Sequence, residues 1–191
     1  MAYNEQNASW ERRSLVIILG IDPGYAITGF GVVEYVGHHF RTIDFGTIET
    51  PAGMAFPDRL LAVDQGIDAL VREYSPDCAA VEELFFSRNT TTAIGTAQAR
   101  GVAVVAAARA DLPVYEYTPL QVKLAVTGYG RAEKRQIQEM VTILLNLKTV
   151  PRPDDAADAL AVAICHAHSN NKESARAVGG YQKGKRNRGL R

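Results

Sequence analysis

Two cysteines, one tryptophan and four histidines are all that 191 residues provide of the side chains that build disulfide frameworks, aromatic cages and imidazole metal centres. Cys78 and Cys165 both stand inside apolar runs, which excludes a disulfide scaffold and suits a reduced, cytoplasmic setting. The run Cys165-His166-Ala167-His168 has no complementary Cys/His pair elsewhere, so a structural zinc site is not supported. No stretch approaches the roughly 20 apolar residues that a membrane span needs, and Met1 to Ser14 is polar, without the apolar core of a secretion signal. Net charge is also missing, with 21 Lys and Arg against 21 Asp and Glu.

That neutrality conceals an asymmetry. From Ser169 on, seven basic residues (Lys172, Arg176, Lys183, Lys185, Arg186, Arg188, Arg191) face a single acid, Glu173, leaving 14 basic and 20 acidic residues before them. The expected organisation is therefore an N-terminal extension over 1–14, one α/β domain over 15–168 and an unstructured basic tail over 169–191. A tail of this charge suits nucleic-acid phosphates, or simply solubility.

Within the domain, Leu15–Asp22, Thr28–Val36 and Phe40–Glu49 read as three close-spaced strands, an antiparallel meander. Helical periodicity over Pro57–Tyr74 predicts an apolar face of Leu60, Leu61, Val63, Ile67, Leu70 and Val71. Cys78–Glu82 and Val114–Tyr117 read as further strands, Thr90–Ala110 as an alanine-rich helix. Leu120–Val126, Ala132–Leu147 and Asp154–His168 complete the helices. Three strands followed by alternating helices and strands predict a mixed five-stranded sheet flanked by helices. This order is similar to that of the ribonuclease H-like fold.

What the chain does have is acids in places where acids are costly. Asp22 ends the run Leu15 to Ile21, and Glu82 follows Ala79-Ala80-Val81. Asp155 and Asp158 are spaced i, i+3 at the start of a helical pattern and share one face. Each has an ordinary alternative: Asp22-Pro23-Gly24 suits a turn, and acids at a helix start complement its exposed N–H groups, which accounts for Asp154. Jointly, two acids at strand ends and two on one helix face can hold two Mg²⁺ about 4 Å apart for phosphodiester displacement.

Gly20-Ile21-Asp22-Pro23-Gly24 with Thr28-Gly29-Phe30-Gly31-Val32 resembles the opening motif of the RuvC-type Holliday-junction resolvases. The resemblance continues in order through Val81-Glu82-Glu83-Leu84-Phe85, Ala97-Gln98-Ala99-Arg100-Gly101-Val102 and Thr118-Pro119-Leu120-Gln121-Val122-Lys123. Thr127-Gly128-Tyr129-Gly130, Ala132-Glu133-Lys134 and Asp154-Asp155-Ala156-Ala157-Asp158-Ala159-Leu160-Ala161 follow. It implies that Asp22, Glu82, Asp155 and Asp158 are the catalytic metal ligands, with Asp154 and Glu83 only neighbours. The ions implied are two Mg²⁺, with Mn²⁺ substituting. The reaction implied is paired nicking of like-polarity strands at a four-way DNA junction, in recombination and repair. Lys123 and Lys134 match lysines beside the scissile phosphate, and Phe85 a residue that stacks on an unpaired base. Phe86, Arg88 and Arg131 are further DNA contacts. The implied partners are junction DNA, a second copy of the chain packed near the helix from Thr90, and a branch-migration complex of the RuvA and RuvB kind.

Two rivals fit parts of the pattern. Gly-Ile-Asp-x-Gly followed by a hairpin also opens actin-like and sugar-kinase-like ATPases, which need a second related domain. A non-catalytic junction-binding module, or a relative acting on RNA, is the other; the intact acid set speaks against lost catalysis.

Overall fold

The computed structural model describes residues 15–84, 93–169 and the backbone of 90–92 and 176–177. Phe85, Phe86 and Arg88 lie outside the described residues, as do the extension over 1–14 and most of the basic tail. The order of elements is β1 (Val16–Asp22), β2 (Ile27–Val36), β3 (His39–Glu49), α1 (Phe56–Tyr74), β4 (Cys78–Glu82), α2 (Thr90–Arg109) and β5 (Val114–Tyr117). There follow α3 (Pro119–Thr127), α4 (Lys134–Leu144), α5 (Asp154–His168) and β6 (Arg176–Ala177).

The sheet runs β3-β2-β1-β4-β5-β6. The meander β1–β2–β3 is antiparallel, β4 and β5 join it in parallel, and the two-residue β6 closes the β5 edge antiparallel. Five strands thus answer the mixed sheet read from sequence, and β6 is a small addition from the basic tail.

Side chains alternate along a strand, and here both faces are covered. Leu19, Ile21, Ala79 and Val81 pack with Val63, Ile67 and Leu70 of α1 and Ala103, Ala106 and Ala107 of α2. Ile18, Cys78 and Ala80 pack instead on α3, α4 and α5 through Val122, Val126, Ile137, Val141 and Leu160. Burial on both faces is why β1 and β4 read as unbroken apolar runs rather than alternating ones.

Two details of the helices differ from the sequence reading. Leu61 is 51% exposed, and the buried face of α1 includes Arg59. The guanidinium donates twice to the Pro51 carbonyl and lies 4.5 Å over the Tyr25 ring, so its charge is hydrogen-bonded rather than stranded. The long helix expected over Ala132–Leu147 is shorter, because Glu133 serves as N-cap, its amide donating to Gln136 Oε1 at 2.8 Å. Among the described residues no helix is long and apolar enough to cross a membrane.

Candidate active site

Asp22 and Glu82 end neighbouring parallel strands whose register pairs Ile21 with Val81, so the two acids emerge side by side. Ile18 and Gly20 share the parity of Asp22, and Cys78 and Ala80 that of Glu82. Since Ile18, Cys78 and Ala80 belong to the α3–α5 face, both carboxylates point toward α5. Glu83 has the opposite parity. The period of the strand therefore separates the two adjacent glutamates.

Asp155 and Asp158 lie in the first turns of α5. Glycine brings them to the end of β1. A Cβ at Gly29 would sit 2.0 Å from the Asp155 carbonyl oxygen, and one at Gly20 2.1 Å from that of Ala159. Only a residue without a side chain lets the helix backbone rest directly on β1 and β2. The alanines along α5, all of them buried, complete that close approach.

The acids repel one another. Asp22 is held in its neutral form up to about 8, first by desolvation and then by the charges of Glu82, Asp158 and Asp155, with Lys134 acting the other way. Desolvation, then Asp158, raises Glu82, while Lys134 and Lys123 pull it down. Asp158 is raised by burial against the opposing pull of Lys134. Lys134 is the first residue of α4, and its Nζ lies 2.9 Å from Asp158 Oδ2 and 3.5 Å from Asp154 Oδ2. Desolvation works against its ammonium, yet the bond to Asp158 raises its pKa overall.

A cleft of about 190 Å³ opens beside these groups, lined by Glu82, Asp158, Lys123 and Lys134 over a floor of Val122, Ile137, Ala161 and Val162. Of the sequence-predicted residues, the structure thus gathers Asp22, Glu82, Asp155, Asp158, Lys123 and Lys134. Arg131 is exposed in the turn before α4. Asp154 does more than begin a helix. The N-cap of α5 is Pro153, with no side-chain cap bond, and Asp154 pairs with both Lys134 and Arg152.

Among the described residues no three His, Cys, Asp or Glu side chains are already closed into an ion's ligand shell. The donor set nonetheless suits a hard divalent cation: only carboxylate oxygens, one of them desolvated and pushed up by three like neighbours. A cation reverses that repulsion. The Cys165–His166 segment provides no such set. His166 is bonded to Cys78 Sγ at 3.1 Å and the Tyr117 hydroxyl at 2.7 Å, and burial pushes both thiols up to about 12, which leaves them unreactive.

Sequence reasoning misses one residue here. Arg100 of α2 donates from Nε to the Glu82 carbonyl at 3.2 Å and from Nη2 to Glu116 at 2.7 Å. Its sequence signal is its place in the run Ala97-Gln98-Ala99-Arg100-Gly101-Val102, an arginine on the inner side of an otherwise alanine-rich helix, which marks the position but not the contact.

Residues 18–166 match the family described as "Crossover junction endodeoxyribonuclease RuvC". The chain belongs to the RuvC family. Curated RuvC proteins from Alkaliphilus metalliredigens (strain QYMF) and Clostridioides difficile (strain 630) are each 60% identical to it. Those matches run over 159 and 158 residues, 83% of this chain and 97% and 94% of theirs. The solved structure of T. thermophilus RuvC in complex with Holliday junction substrate matches with TM-score 0.81 and 35% identity, covering 85% of this chain and 99% of that one. The yeast mitochondrial Holliday junction resolvase Ydc2 shares the fold alone, at TM-score 0.59 and 13% identity. Membership in the RuvC family makes this chain a nuclease and disposes of the ATPase rival.

Proposed function

We propose that this chain resolves four-way DNA junctions as a homodimer, each subunit nicking one of two like-polarity strands with divalent ions held by Asp22, Glu82, Asp155 and Asp158. The observation that carries the reading is the convergence of four acids from β1, β4 and α5, two of which, Glu82 and Asp158, line a cleft together with Lys123 and Lys134. Mg²⁺, or Mn²⁺ in its place, would supply an acidified water and charge neutralisation at the scissile phosphate.

The chain's own residues prepare the rest. Asp22 and Glu82 are held by the sheet and Asp155 and Asp158 by α5, so their separation is set by packed backbone rather than by loops. Lys134, bonded to Asp158 at 2.9 Å and 54% exposed, stands where its ammonium can meet a phosphate at the acids. Lys123 approaches from α3, and together they balance charge developing on the phosphate. Phe85 would stack on a base unpaired at the junction centre, with Phe86, Arg88 and Arg131 as flanking contacts.

The two-fold symmetry of the substrate calls for two such sites. Support for a dimer comes from α2, where Ile94, Gln98, Gly101, Val105 and Ala108 form an exposed stripe opposite the face buried on the sheet. Coupling to a RuvA/RuvB branch-migration complex in the cytoplasm completes the reading.

The test is a synthetic four-way junction incubated with protein and Mg²⁺ beside linear duplex and RNA–DNA hybrid. Symmetric, ligatable nicks confined to the junction are expected. Asp22→Asn and Glu82→Gln should abolish cleavage and retain junction binding; cleavage surviving either change would overturn the assignment of the acids.

A further inference from the structure

Glu82 is the last residue of β4, and residues 85–89 beyond it lie outside the described part of the chain. Its main-chain position is held on one side by the ladder to β5, where the next amide, Glu83 N–H, donates to the Tyr117 carbonyl at 2.8 Å. On the other side, its own carbonyl accepts from Arg100 Nε at 3.2 Å. The same guanidinium donates from Nη2 to Glu116 Oε2 at 2.7 Å, and the two side chains are 18% and 14% exposed. Glu116 lies on β5 opposite Val81. One planar group therefore ties α2 to the ends of β4 and β5, within one residue of the carboxylate site.

We infer that Arg100 is a positioning residue for cleavage: by fixing the Glu82 backbone it sets the distance of the Glu82 carboxylate from those of Asp22 and Asp158. The inference rests on the reading of Glu82 as a metal-binding acid. Three features carry it. The acceptor is the main-chain carbonyl of Glu82 itself, at a strand end. Among the described residues Glu82 is held through its main chain, by the ladder to β5 and by Arg100. The fork of an arginine delivers two donors at fixed separation, which an ammonium does not reproduce, so the charge alone is not what the position requires. A small displacement matters because catalytic and metal-binding geometry tolerates about half an ångström before function is lost.

The full chain is to be compared with Arg100→Lys and Glu116→Gln. Glu116→Gln keeps an acceptor for Nη2, and it remains informative should Arg100→Lys fold poorly. Three quantities are read: the single-turnover rate of junction cleavage, Mn²⁺ affinity of the DNA-free protein by electron paramagnetic resonance, and the thermal midpoint.

Arg100→Lys is expected to slow cleavage about tenfold or more, a loss of orientation, and to weaken Mn²⁺ binding several-fold. Junction affinity in Ca²⁺ should stay within about twofold of wild type, because the lysine keeps the charge. Glu116→Gln should move rate and Mn²⁺ affinity the same way by a smaller factor. Unchanged rate and Mn²⁺ affinity in both variants overturns the inference. So does a loss of rate that follows the thermal midpoint and disappears on cooling, since that describes a purely structural ion pair. If the wild type itself does not cut junctions, the proposed function fails; if it does and the variants match it, only the role of Arg100 fails.

Discussion

Lys134 stands at the first residue of α4, the end of a helix where a cation is disfavoured by the macrodipole. Asp158 and Asp154 compensate, and because the lysine is 54% exposed that compensation adds little to folding. Lys134→Ala should therefore change unfolding free energy by less than about 1 kcal/mol while lowering single-turnover junction cleavage by about a hundredfold, the scale of a lost charge stabiliser at a reacting phosphate. Urea denaturation and rapid-quench kinetics separate the two effects. Asp22 presents the converse. Its buried carboxyl is opposed by three acids, so in metal-free buffer Asp22→Asn should be more stable than wild type by about 1–2 kcal/mol, and inactive. Added Mg²⁺ should raise the unfolding midpoint of wild type and not of the variant; a wild-type midpoint indifferent to Mg²⁺ would count against the ligand assignment.

The approach of α5 to the sheet turns on two strand glycines. Gly29→Ala would set a methyl 2.0 Å from the Asp155 carbonyl oxygen, so the helix must retreat; a loss of about 1–3 kcal/mol is the usual cost of such overpacking, with cleavage lost alongside. At the far end of α5, burial pushes His166 down to about 4. The unfolded chain, with an ordinary histidine near 6.5, takes up the proton first as pH falls, so stability should drop between about 6.5 and 4. Between pH 6.5 and 5 the loss is about 1.5 kcal/mol. Denaturant midpoints across that range should fall in wild type and flatten in His166→Gln. These elements were largely legible in the sequence. Apolar runs, Pro and Gly punctuation and helical spacing place every strand from β1 to β5 within a residue or two. The acids stood out because desolvation makes them costly where they occur. What was not legible depends on partners distant in sequence. Arg59 inside α1 becomes acceptable only once Pro51 and Tyr25 are in place. Likewise, Asp154 turns from a helix-start residue into a partner of Lys134 only when α4 folds back on α5. Arg100 reaches Glu82 from 18 residues away, and the motif around it does not announce that contact.

At the scale of the whole molecule, the sheet buries one face on α1 and α2 and the other on α3, α4 and α5, while α2 keeps an apolar stripe outward. Ile94 and Val105 are 61% and 59% exposed. If that stripe is the subunit seam, Val105→Glu should shift the protein from dimer to monomer in analytical ultracentrifugation and convert paired cuts into slow, uncoordinated single nicks. A variant that stays dimeric would place the seam elsewhere. The tight seat of α5 on the sheet has a practical side as well. Replacing glycine by alanine commonly hardens a protein against heat by about 0.4–1 kcal/mol, through the unfolded chain's lost freedom. At Gly20, Gly29 and Gly31 that route is closed, since each already has helix α5 where the methyl would go. Gly53, with nothing within 4 Å of its missing methyl, is open to it. Anyone seeking a heat-resistant form for use as a reagent should begin at such loops and leave the strand glycines alone.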